Sequence, residues 1–73
     1  MLTQDQENQI IAMFKKAVAN PENHDANEVD GINWNFVDAD VNMDVKEAGL
    51  DVDPVDLLMF IDDLITEELG EVE

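Results

Sequence analysis

The stretch 53-DPVDLLMFIDDLITEEL-69 is the longest apolar-periodic run in the chain, and helix signals stand at both of its ends. Asp53 can cap the first amides, Pro54 suits the first helical position, Asp56 lies in the positive first turn, and Gly70 can take the left-handed conformation that stops a helix. At about 100° per residue, Val55, Leu57, Leu58, Met59, Ile61, Leu64, Ile65 and Leu69 cover well over half the circumference, more than one flat contact needs. Such a helix wants covering from two sides. Asp56, Asp63 and Glu67 fall on a narrow stripe opposite, with Phe60 among them, so one helix carries both core and a line of negative charge. Asp62 interrupts the apolar arc, where an unpaired carboxylate is costly; it either reaches water at a rim or breaks the arc.

Outward from this helix, 73 residues make one small domain, 1–73, that buries only about 60–65% of its unfolded surface. Acidic residues number 19 against 3 lysines, giving a net charge of -16, while a 45% hydrophobic fraction is that of a folded chain rather than a disordered one. The chain has no cysteine, which excludes disulfides and thiolate metal sites, and no secretory signal pattern. Its longest apolar run, Leu57 to Ile61, is far too short for a membrane span, so a soluble cytoplasmic protein is expected.

Thr3 to Ala19 reads as an amphipathic helix with Thr3 and Gln6 in capping-box spacing. Ile10, Phe14, Ala17 and Val18, flanked by Ile11 and Met13, form its core face, and Asn20-Pro21 stops it. Pro21 to Gly31 reads as loop, with Asp30-Gly31 a turn and His24 an exposed loop histidine. A single histidine without a second nitrogen or sulfur ligand makes no zinc site, and no metal is expected.

Between the helices, Ile32, Trp34 and Phe36 alternate with Asn, and Val37, Ala39, Val41, Met43 and Val45 alternate with Asp38, Asp40, Asn42 and Asp44. Period two predicts an extended segment over 32–43, a strand or a cover strip over the helix at 54–69, with one buried and one acidic face. A helical turn over 44–48 follows, stopped at Gly49, with Leu50 able to touch Val45. The expected fold is mainly α: two long antiparallel helices, about 3–19 and 54–69, with the middle segment as cover. A homodimer is a second way to bury the wide apolar arc.

Asp38-x-Asp40-x-Asn42-x-Asp44 resembles the start of a calcium-binding EF-hand loop, but Met43 stands where that loop has Gly and Gly49 where it has a bidentate Glu. The run 44-DVKEAGLDVDPVDLLMFIDDLITEEL-69, through Gly49, Asp51 or Asp53 and Val55-Asp56-Leu57, resembles the second-helix region of acyl carrier proteins. That resemblance covers about a third of the chain and implies an acidic recognition helix. The family carries phosphopantetheine on a Ser just before this helix; here Asp51 and Val52 stand at those positions, and the chain contains no Ser. Without Cys or Ser, and with Thr3 and Thr66 lacking a paired base, no nucleophilic machinery is legible. No enzymatic activity and no cofactor are expected.

The charge itself is the remaining signal. A 73-residue domain spans roughly 30 Å by size scaling, and duplex DNA carries roughly 18 charges over that length, close to the -16 of this chain. In charge, size and helicity the chain resembles small DNA-mimic inhibitors, many of them encoded by phages, which occupy the basic grooves of restriction enzymes, polymerases, CRISPR effectors or nucleoid proteins. By that resemblance the partner is a basic nucleic-acid-binding protein, with no direct nucleic-acid binding. The acids available for partner binding are Asp38, Asp40 and Asp44, then Asp51 and Asp53, then Asp56, Asp63, Glu67 and Glu68, forming a band with Phe60 as an apolar anchor. Trp34 and Phe36 are further candidates for anchors in a partner's groove, with core the favoured reading of both. A halophilic protein is also acidic, yet this chain has seven Asn and keeps Lys instead of Arg. The other reading is an acidic adaptor or carrier-like interaction module without catalysis.

Overall fold

A computed structural model describes residues 1–70, with the side chains of Val29, Leu69 and Gly70 outside the description. Three helices follow in chain order, α1 over Gln4–Ala19, α2 over Trp34–Glu47 and α3 over Pro54–Gly70, with short 3-10 turns at Pro21–Asn23 and Val29–Gly31.

The local signals of α1 act as expected. Thr3 Oγ1 accepts from the Gln6 amide at 3.1 Å and Gln6 Oε1 accepts from the Thr3 amide at 2.9 Å, a complete capping box. Asn20 and Pro21 end the helix, and Ile10, Phe14 and Ala17 are its buried residues. Asp30 and Gly31 form the expected turn, with φ of 60° and 70°. His24 is exposed, its ring Nε2 lying 3.0 Å from the Val18 carbonyl oxygen.

The middle segment departs from the expected extended form: residues 34–47 are one continuous helix. Val37, Val41 and Val45, four residues apart, belong to period two and to a helical face alike, and all three are buried. Ala39 and Met43, which share the strand face with them, are exposed. Backbone hydrogen bonding explains the outcome. A lone strand would leave its N–H and C=O groups without a ladder, whereas a helix satisfies them internally. Among the described residues the extended pairing is limited to one isolated antiparallel bridge, His24 with Ile32. Asn33 caps α2, its side-chain oxygen accepting from the Phe36 amide at 3.3 Å, and Ile32 and Val37 stand at hydrophobic-staple spacing.

The turn expected at 44–48 is therefore the end of α2. Gly49 has φ +68°, its amide donates to the Lys46 carbonyl, and the Leu50 amide donates to the Val45 carbonyl at 3.2 Å, a Schellman stop. Asp53 caps α3 as expected, its carboxylate accepting from the Val55 amide at 2.8 Å. Helix α3 continues through Gly70, one residue past the expected end. The expected place of Leu69 in the apolar arc lies outside the described side chains.

The core is one cluster of Ile10, Phe14, Ala17, Val37, Val41, Val45, Leu57 and Ile61, so all three helices contribute. Close backbone approach runs chiefly between α1 and α2. The two long helices start at the same end of the molecule: Gln6 Nε2 donates to the Asp51 carbonyl at 3.1 Å, and the Met1 amine lies 2.7 Å from Asp56. An antiparallel pairing of α1 with α3 would separate those ends. Helix α2 fills the place next to α1 that the sequence assigns to α3.

Asn23 ties the loop to both helices of that pair. It is buried; its Nδ2 donates to the Ala17 carbonyl at 2.9 Å and to Asp40 Oδ2 at 2.8 Å, while its carbonyl accepts from the Asn33 amide at 2.8 Å. Asn23→Ala removes both side-chain bonds, the one to Asp40 being to a charged acceptor, and is expected to cost about 1–3 kcal/mol. Urea unfolding measures the loss; an unchanged midpoint would mean that this buried link adds nothing to the α1–α2 seat.

Candidate partner-binding surface

The acids singled out in the sequence occupy several settings. Helical spacing turns Asp38 roughly 120–160° away from Asp40 and Asp44, three residues that an extended segment would have put on one face. The Asp38 carboxylate accepts from Asn42 Nδ2 at 3.1 Å, a bond within its own helix. Asp40 and Asp44, half-buried, face α1 across an open groove of about 480 Å³ shared with Lys16, Ala17, Ala19 and Asn20. The helical path also removes the calcium-loop geometry, because oxygens at alternate positions of a helix diverge instead of converging.

Asp51 and Asp53 are exposed in the connection to α3, where Asp53 is engaged as the cap. Asp56 is half-buried against the N-terminal amine. That amine is raised above its ordinary pKa, first by its hydrogen bond to Asp56, then by the charge of Asp56, with a smaller contribution from Asp53. A raised folded value means that the pair's stabilisation is present below the unfolded amine's pKa and is lost as pH rises through the folded one. Asp63, Glu67 and Glu68 are exposed near the far end of α3, with Glu68 about 100° off the stripe that Asp63 and Glu67 share.

Phe60 is half-buried and packs against the core cluster together with Leu64 and Ile65. Trp34 also packs against the core and stacks on Phe14, ring centroids 6.1 Å apart at 12°. Phe36, expected in the core, is instead 53% exposed on the outer side of α2. A further difference lies on α3. Among the described residues of its wide arc only Leu57 and Ile61 are buried in the core, whereas Val55, Leu58 and Met59 are exposed and Asp62 stands exposed beside them. Asp62 is the sequence signal for that outward face, since it follows Val55 by seven residues and Leu58 by four.

Positive charge is scarce around these acids. Among the described residues the one ion pair is that of the Met1 amine with Asp56, and Lys15, Lys16 and Lys46 hold no carboxylate within 4.0 Å. The body measures 35 × 24 × 17 Å. No helix among the described residues is long and apolar enough to cross a membrane. Comparison with protein-family models, with curated proteins and with solved structures finds no match.

Proposed function

We propose that this chain is a non-catalytic, DNA-mimic-type inhibitor that occupies the basic nucleic-acid-binding surface of a DNA-handling protein. The observation that carries the reading is uncompensated charge on an elongated body: -16 over a 35 Å long axis, with the lysines outside any ion pair among the described residues. One turn of duplex DNA is about 34–36 Å long and carries about 20 charges. A basic cleft that accepts that turn would meet similar length and similar charge here. Self-repulsion of this size opposes the folding of a small domain, which favours a use for the charge over an incidental origin.

The exposed apolar residues Val55, Leu58 and Met59 favour a second reading, an acidic adaptor whose partner is held mainly by apolar contact. Competition separates the two. Affinity capture from host-cell lysate, with and without excess duplex DNA, is expected to recover a basic DNA-binding protein that DNA displaces and that salt releases. Reversing the exposed Asp63, Glu67 and Glu68 to Lys should reduce capture far more than reversing Asp5, Glu22 and Glu28. A partner that duplex DNA leaves in place would count against mimicry and in favour of the adaptor.

A further inference from the structure

Val55, Leu58 and Met59 stand at i, i+3 and i+4 on α3 and are 61%, 54% and 62% exposed. Single exposed apolar residues are ordinary, but three on one stripe have the spacing by which a helix anchors to another helix or to a groove. The fourth anchor position, i+7, is Asp62, exposed on the same face. A second copy of this chain is a poor occupant. Helix α3 carries five carboxylates within Pro54–Gly70 and no Lys, Arg or His, and packed helices lie about 8–10 Å apart, comparable to the Debye length of about 8 Å at physiological salt, so the repulsion is only partly screened. A two-fold contact through this face would bring Asp62 of both copies into the contact, and an antiparallel one would also set the Asp56, Asp63 and Glu67 row against its own copy. The charge selects a cationic occupant, while the three apolar side chains select one with an apolar stripe of its own.

We propose that the outward face of α3 docks a cationic amphipathic helix of the partner protein, with Val55, Leu58 and Met59 packed on its apolar stripe and Asp62 paired with a Lys or Arg inside the contact. The proposal rests on the reading that the partner surface is basic, and adds that the contact has an apolar centre at one address. Asp62 then acts as a specificity device, admitting a basic helix where a fourth apolar anchor would invite self-association.

The test titrates the full chain, labelled with nitrogen-15, with two synthetic peptides of equal length and charge. One is an amphipathic Leu/Lys helix, and the other has every Leu replaced by Gln. The Leu/Lys peptide is expected to bind at least tenfold more tightly, with amide shifts centred on residues 55–62. Leu58→Ser should weaken it at least tenfold, whereas Phe36→Ser on α2 should change it less than twofold; both sites are exposed, and a thermal melt checks that each variant folds. Asp62→Leu should weaken peptide binding and introduce a concentration-dependent dimer in sedimentation, under conditions where the parent chain is monomeric. Equal binding of both peptides, with shifts spread over the acids of α2 and α3, would overturn the docking face and leave the mimic reading standing. Dimerisation of the parent chain through α3 would overturn it too. Failure of both peptides to bind at low salt would remove the basic-partner reading, and the docking face with it.

Discussion

Val41→Asp is expected to unfold the domain, whereas Met43→Asp is expected to leave its melting temperature within a few degrees of the parent. Val41 is 0% exposed in the middle of the core and Met43 is 59% exposed on the opposite side of α2. A carboxylate at position 41 would either be buried without a partner or force α2 off α1, and such substitutions belong to the few that cost more than about 4–5 kcal/mol. A domain of this length has a total stability of about 4–11 kcal/mol, so the loss consumes much or all of it. At position 43 the new carboxylate meets water, and its cost is limited to repulsion from neighbouring acids, which salt screens. Two residues apart on a strand share a face, so an extended segment would make both substitutions disruptive. Circular dichroism melts of the two variants therefore test the helical state of 34–47 directly, and unfolding by both would reject it.

On α3 the corresponding contrast is Ile61→Ala against Leu58→Ala. Ile61 is buried in the core, and its truncation is expected to cost about 2–5 kcal/mol through lost burial and the cavity left behind. Leu58, on the outward side, should change stability by no more than about 0.5 kcal/mol. Both residues carry the same apolar weight in the sequence, and chemical denaturation distinguishes them. Equal losses would mean that α3 presents a different face to α1 and α2. A large loss at position 58 would also remove the physical basis for a docking stripe there, because that stripe requires Leu58 to be idle in the free chain.

The candidate surface owes much of its form to which face of each helix is turned inward. Asp40 and Asp44 are drawn into a groove against α1, where Asp40 serves Asn23, and Asp56 is taken by the N-terminal amine. Asp40 and Asp56 thus have structural work besides any part in partner binding. Asp62, Asp63 and Glu67 remain exposed along α3. That remaining charge stands beside the Val55, Leu58 and Met59 stripe, to which the sequence assigns a core role and the structure does not; Phe36, Ala39 and Met43 on α2 depart from their expected burial in the same way.

What the sequence determined by itself is local. The Thr3 and Gln6 box, the Asn20-Pro21 stop, the Asp30-Gly31 turn, the Gly49 stop and the Asp53 cap each depend on hydrogen bonds or backbone preferences within a few residues, and each was legible without knowledge of the rest of the chain. The inward face of α1 was legible too, because its apolar residues form one narrow stripe with a single choice. Tertiary structure alone decided the state of 34–47. Val37, Val41 and Val45 satisfy both periodicities, and the choice falls to the helix, whose backbone needs no ladder and whose valine row packs against α1. It also decided which part of the broad arc of α3 is core, since an arc wider than any one contact leaves its seat open until the α1–α2 pair supplies the surface on which Leu57 and Ile61 rest.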